Sequence, residues 1–424
     1  MTIHEQVRIG RTGVNRRRFL HTVSAASLVA GTLSFRDIFS LQAEDLQKRN
    51  RSMILLWLGG GPSQMEMFDP KPGTENGGET KAIQTSVAGI DIAHRWEQTA
   101  KVMDDIAIIR SMTNKEGNHR RASYHLHTGY VPSGSVKHPS LAANVAYRLA
   151  DPEVTIPSVV SVGNTFGAGY LGVDYEPFVV SEPGTLPTNT IPTVDSQRFN
   201  KRLGLLGQID SQYADRGAAS LVKSHQQLYK KTRNMISSPE LQAFDFADEP
   251  AEVKQSYGNG KFGQGCLLAR RLIEAGSTFV EVSLGGWDTH QDIFERTDKL
   301  IGQVDPAFAT LIADLKSRGL LETTTVVLMG EFGRTPKINA RGGRDHFPRV
   351  FNVAMAGGGI RGGQVIGSST EDGQQVAERP VTVSDLFCSL CHSLELDPAS
   401  ETMSPLGRPM KIVEEGETVD ELFA

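Results

Sequence analysis

Asp288, His290, Glu331, Arg334, Asp345 and His346 lie at the ends of three short aliphatic runs in the second half of the chain. Carboxylates and imidazoles together bind borderline and hard divalent cations, and a guanidinium matches an oxyanion in a bidentate fork. The pattern predicts a divalent metal (Zn, Mn, Mg or Ca) held by Asp288, His290, Glu331, Asp345 and His346. Arg334 or Arg344 would clamp an anion, giving metal-assisted hydrolysis of a phosphate or sulfate ester. Each residue also has a structural reading. Asp288-Thr289 can cap a helix, Glu331 can pair with Arg334, and Asp345-His346 can form a hydrogen-bonded pair in a loop.

These residues must be carried by strands and helices. Residues 53–58, 106–109, 158–162, 278–284, 324–329 and 350–355 are short β-branched or aliphatic runs bounded by turn residues, and they alternate with helical patterns. Continuous apolar runs of this kind suit an α/β fold with a mostly parallel central sheet and helices on both faces. Ligand groups then emerge beyond the carboxyl ends of the strands. Asp305-Pro306 reads as a helix N-cap and first turn, followed at helical spacing by Phe308, Leu311, Ile312 and Leu315 up to Gly319. A helical insertion is expected around residues 196–257, where Leu221, His225, Leu228, Thr232 and Met235 share one helix face. Gly357-Gly358-Gly359 and Gly362-Gly363 lack the Lys-Ser/Thr ending of a phosphate loop and read as turns.

Asn15-Arg16-Arg17-Arg18-Phe19-Leu20, an uncharged stretch to Phe35 and the small-residue context of Leu41-Gln42-Ala43 look like a twin-arginine export signal over residues 1–43. The domain after it, residues 44–424, is expected in the periplasm or outside the cell. No later apolar run is long enough to span a bilayer. The formal charge of −5 becomes more negative without the arginine-rich leader, and no basic cluster of nucleic-acid-binding type follows. A small-molecule or glycan ester is the expected partner. Three cysteines do not make a disulfide scaffold. Cys388-Ser389-Leu390-Cys391-His392 has the spacing of haem attachment, but Val383, Leu386, Phe387, Leu390 and Leu394 around it form a core-like helix face.

Several longer motifs carry a resemblance. Leu58-Gly59-Gly60-Gly61-Pro62-Ser63-Gln64 with Phe68-Asp69-Pro70-Lys71-Pro72, the run from Phe262 to Gly276, Trp287-Asp288-Thr289-His290 and Gly330-Glu331-Phe332-Gly333-Arg334-Thr335-Pro336 resemble the secreted domain-of-unknown-function family 1501. That family is similar to the alkaline phosphatase and sulfatase superfamily, so the resemblance implies an alkaline-phosphatase-like fold. It also implies an Asp-then-His metal segment at Asp288 and His290, with Glu331 where an Asp normally stands. The region from Val381 to Leu394 with Leu406-Gly407-Arg408-Pro409 resembles the closing helix and tail of sulfatases.

The departures are equally specific. After the first strand, where the superfamily has an Asp at once, this chain has glycines and then Ser63, Gln64, Glu66 and Asp69. His119 stands at the spacing of the sulfatases' modifiable Cys or Ser, and no Cys-x-Pro-Ser-Arg motif exists. The nucleophile is therefore open between a hydroxyl of Ser63, Ser111 or Thr113 and a metal-activated water. A catalytically silent relative that binds a glycan or an envelope partner is the alternative reading.

Overall fold

The computed structural model describes residues 51–134 and 136–424. The expected export signal at residues 1–43, with Arg16 and Arg17, lies outside them. Each aliphatic run of the sequence becomes a strand. These are β1 (Ser52–Gly59), β2 (Ile106–Thr113), β3 (Val159–Val162), β5 (Phe279–Gly285), β6 (Thr324–Met329) and β9 (Phe351–Ala356). Shorter strands β4 (Phe178–Val180), β10 (Gln364–Ile366) and β11 (Val381–Thr382) extend the edges. The order is β10-β2-β9-β6-β1-β5-β3-β4, with β11 beside β2. Only β9 runs antiparallel among these described strands.

Side-chain alternation in β1 shows why the sheet needs cover on both faces. Ile54, Leu56 and Leu58 enter one apolar cluster with Phe262 and Leu268 of α5 (Lys261–Glu274) and Phe308 and Leu311 of α6 (Ile293–Ser317). Met53, Leu55 and Trp57 enter a second, with Val145 of α2 (Leu141–Leu149) and Leu386 and Leu390 of α7 (Val383–Ser393). A strand buried on both sides has no room for a polar face, hence its unbroken apolar run. Among the described residues no helix is long and apolar enough to cross a membrane.

Helix α6 starts at Ile293, thirteen residues before the start predicted from Asp305-Pro306, and runs through Pro306. Asp305 does cap a helix, but in another part of the chain. Its two carboxylate oxygens accept from the backbone amides of Gln98 and Thr99, at 2.9 and 2.7 Å, in the short helix Glu97–Lys101. A cap signature names the chemistry of the residue and not the helix it serves. The expected helical insertion contains α3 (Ser196–Tyr213) and α4 (Ala219–Ile236). The buried Cys388 and Cys391 lie on α7 in the second cluster, where burial pushes the Cys391 thiol up to about 12.

Candidate metal centre

Strands β6, β1 and β5 are neighbours at the middle of the sheet and mutually parallel, so their carboxyl ends open on the same side. The loop after β1 brings Gly60, the loop after β5 brings Asp288 and His290, and the loop after β6 brings Glu331. Gly60 has a φ of +124°, and a Cβ there would lie 2.5 Å from the backbone nitrogen of Asp288. Only glycine lets the first loop approach the second so closely. Its amide donates to both Glu331 carboxylate oxygens, at 3.0 and 3.2 Å.

Two further segments complete the group. A two-stranded ribbon, β7 (Gly333–Arg334) with β8 (His346–Phe347), sets His346 opposite Arg334. Helix α1 (His119–Thr128), N-capped by Asn118, presents His119 at its first position. Gly343 packs against the carbonyl of His290 so tightly that a Cβ would come within 2.1 Å of the carbonyl carbon, which draws the ribbon loop onto the Asp-Thr-His segment.

The three imidazoles converge on one carboxylate oxygen. Nε2 of His119, His290 and His346 lies 3.3, 3.1 and 3.3 Å from Asp288 Oδ1. Each ring is oriented from behind through Nδ1. The Nδ1 of His119 meets Glu331 Oε1 at 2.6 Å, that of His290 meets Asp345 Oδ1 at 2.8 Å, and that of His346 meets the Gly117 carbonyl at 2.9 Å. A carboxylate or carbonyl oxygen only accepts, so in the neutral rings the Nδ1 atoms carry the protons and the three Nε2 atoms carry lone pairs. Lone pairs therefore face the Asp288 carboxylate, and the Nε2 atoms of His290 and His346 face each other at 3.1 Å. Acceptors gathered in this way repel one another unless a cation lies among them. His119 Nε2 is buried and sits off the hydrogen-bond line to Asp288, without a hydrogen-bond partner. His119, Asp288 and His346 each offer one ligand atom within 4.8 Å of the others, a span that fits a metal ion.

Charges tune the group. Burial works against ionisation of Asp288, but the hydrogen bond and charge of Arg334, with His119 and His290, bring its carboxyl down to about 2. The hydrogen bond to Glu331 raises the His119 pKa above its ordinary value, while burial lowers that of His346.

The remaining residues singled out in the sequence divide clearly. Glu331 and Asp345 use their oxygens on the rear nitrogens of His119 and His290. Arg334 is fully buried, donating from Nη2 to Asp288 Oδ1 at 2.6 Å and to the Gly60 carbonyl, and from Nε to the Gly61 carbonyl at 2.8 Å. Gln64 clamps it by exchanging two 2.9 Å hydrogen bonds with its backbone. Arg344 turns inward to a buried 2.8 Å pair with Glu66. Ser63 is fully buried, and its hydroxyl has no hydrogen-bond partner. Ser111 and Thr113 donate to the carbonyls of Arg379 and Val381.

Sequence reasoning overlooked Asn114 and Gly117. Asn114 Nδ2 donates to the Glu331 carbonyl at 3.1 Å, and its Oδ1 accepts from His125 Nδ1 at 2.9 Å. Both residues lie in the polar run directly after β2, the same strand-end signal that marked the other residues of the group.

A family model, described as protein of unknown function (DUF1501), matches residues 50–423. The chain belongs to this family. A comparison with curated protein sequences gives no match. Among solved structures, the chain is similar to PsFucS1 sulfatase from Pseudoalteromonas sp., at 13% identity and a TM-score of 0.39, over 84% of this chain and 70% of that one. It is similar to phosphonate monoester hydrolase of Agrobacterium radiobacter at the same identity and TM-score, over 88% and 77%. With a TAB5 alkaline phosphatase variant that has Mg bound, the figures are 13% and 0.35, over 82% and 99%.

Proposed function

We propose that this DUF1501 chain is an exported, metal-dependent hydrolase of phosphate or sulfate esters. One observation carries the reading: three imidazole lone pairs, each fixed by an acceptor behind the ring, meet at an ionised carboxylate. Outer partners that set tautomer and orientation are the hallmark of histidines that bind metal. His119, His290, His346 and Asp288 would hold the ion. Bound there, a divalent cation supplies Lewis-acid neutralisation of charge on an ester oxygen.

The chain's own residues do the rest. Arg334 keeps Asp288 ionised and adds a fixed positive charge at the floor of the group, where an anionic ester gains most from it. Glu331 and Asp345 keep the Nε2 lone pairs of His119 and His290 directed at the ion. The Gly60 amide holds Glu331 in place.

One observation favours a second reading, a catalytically silent protein that binds a glycan or an envelope partner. Ser111 and Thr113 donate their hydroxyls to the carbonyls of Arg379 and Val381, Ser63 is fully buried, and Arg344 is taken by Glu66. The experiment separates the two readings. Native protein should carry near-stoichiometric divalent metal, and it should turn over activated aryl phosphate, phosphodiester or sulfate esters, with both properties lost in Asp288→Asn. Metal without turnover of any ester class supports the silent binder; protein that neither carries nor takes up Zn, Mn, Mg or Ca removes the metal centre and the hydrolase with it. For export, changing Arg16 and Arg17 to Lys should leave full-length precursor in the cytoplasm, and normal processing of that variant would contradict the twin-arginine route.

A further inference from the structure

The helical hairpin α3–α4 has a composition unlike the rest of the molecule. Nine of the thirteen large apolar side chains exposed among the described residues fall between Val173 and Tyr229. On α4, Leu221, Leu228 and Met235 recur at seven-residue spacing along one stripe, yet only Met235 is covered, while Leu221 is 72% exposed. Leu205, Ile209 and Tyr213 of α3 are also more than half exposed. Between the helices runs a groove of about 480 Å³ lined by Val173, Tyr213, Leu221, Val222 and Leu228.

Charge accompanies the apolar surface. Residues 196–236 hold eight Lys/Arg against two Asp/Glu, in a chain whose net charge is −5. The hairpin's ion pairs are Lys231–Asp174 at 3.1 Å and His225–Asp210 at 3.5 Å. Arg198, Lys201, Arg202, Lys223, Lys230 and Arg233 are exposed and form no ion pair among the described residues.

We propose that this hairpin docks the protein on an anionic lipid surface. Exposed Leu, Ile and Tyr on amphipathic helices with Lys/Arg-rich polar faces are what an interfacial helix needs, since apolar side chains enter the acyl boundary and the cations meet the headgroups. A second copy of the chain is a poorer occupant, because a two-fold contact through this face would set two positive hairpins against each other. A soluble polyanion answers the charge but leaves Leu221 and Leu228 in water. A bilayer leaflet satisfies both.

The test is flotation of the full chain with phosphatidylcholine vesicles with and without phosphatidylglycerol. Binding should require phosphatidylglycerol and fall as salt rises. Leu221→Ser/Leu228→Ser and Lys223→Glu/Lys230→Glu should each weaken it roughly tenfold or more, with unchanged thermal unfolding showing that the fold is intact. Both variants keep residues 1–50, so any lipid affinity of that segment cancels in the comparison. Three outcomes would overturn the proposal: no binding to phosphatidylglycerol vesicles at low salt, equal binding by the variants, or a lipid-independent dimer that either variant dissolves.

Discussion

Arg334 and Arg344 stand in adjacent arms of one loop, both are fully buried, and both read as anion clamps in the sequence. Their partners set them apart. Glu66, opposite Arg344, is itself enclosed, so the two charges cancel inside the protein and the pair is sealed by the carbonyls of Asn76 and Pro336. Asp288, opposite Arg334, is about half exposed and is shared with three imidazoles. The first pair is an internal brace, and the second is the rear wall of an open, electron-rich site. A buried arginine is thus no guide to function until the exposure and company of its carboxylate are known.

The largest effect should come from breaking the brace. Glu66→Ala leaves the Arg344 guanidinium buried without a counter-charge and should cost about 3–5 kcal/mol in chemical unfolding. Replacing both partners, as Glu66→Leu/Arg344→Met, should recover most of that. A small loss in the single variant would show that the pair is not the brace the geometry implies.

On the open side the corresponding change acts on binding. Asp288→Asn removes the atom on which all three Nε2 groups converge, so calorimetric affinity for a divalent cation should fall by more than the about 10- to 100-fold expected when an outer partner is lost. Equal affinities in the variant and the parent would contradict the assigned centre.

The outer partners sharpen the contrast. Glu331→Gln should weaken cation affinity by about 10- to 100-fold, because a buried carboxylate that sets the His119 tautomer is replaced by an amide. Asp345 is more than half exposed, so water can substitute for it, and Asp345→Asn should sit at the lower end of that range or below. The reverse ranking would place the ligand-orienting role at His290 instead.

The smallest effect lies behind the site. Burial lowers the His125 pKa, against the charge of Glu116, so the unfolded chain takes up a proton there at a higher pH than the folded one. Its contribution to stability is intact above the unfolded value of about 6.5 and is lost as pH falls below it. Comparing urea midpoints of the parent and His125→Gln between neutral pH and pH 5 checks this, since the variant should show a flatter slope.

The strands were legible because burial on both faces favours a nearly continuous apolar run, as in β1 and β6. Edge strands β4, β10 and β11 were not, since two or three residues leave no periodicity. Residue chemistry pointed to Asp288, His290, Glu331, Asp345 and His346 as one neighbourhood. It could not rank them, because whether a carboxylate faces the pocket or the back of an imidazole depends on loop geometry. Gly117 was invisible for a simpler reason: it contributes a backbone carbonyl, which every residue possesses.

His119 and His346 lie more than two hundred residues apart in the chain and come together where the loop before α1 meets the ribbon of β7 and β8, through the His346–Gly117 hydrogen bond. The unfolded chain therefore keeps only Asp288 and His290 close together and has no pair of the three imidazoles near one another in sequence. A cation that occupied the centre would bind the folded chain far more tightly than the unfolded one, so each tenfold rise in cation concentration above the dissociation constant would add up to about 1.4 kcal/mol to the folding equilibrium. The centre would thus also report its own assembly: a cation present where the chain completes its fold would stabilise the finished structure.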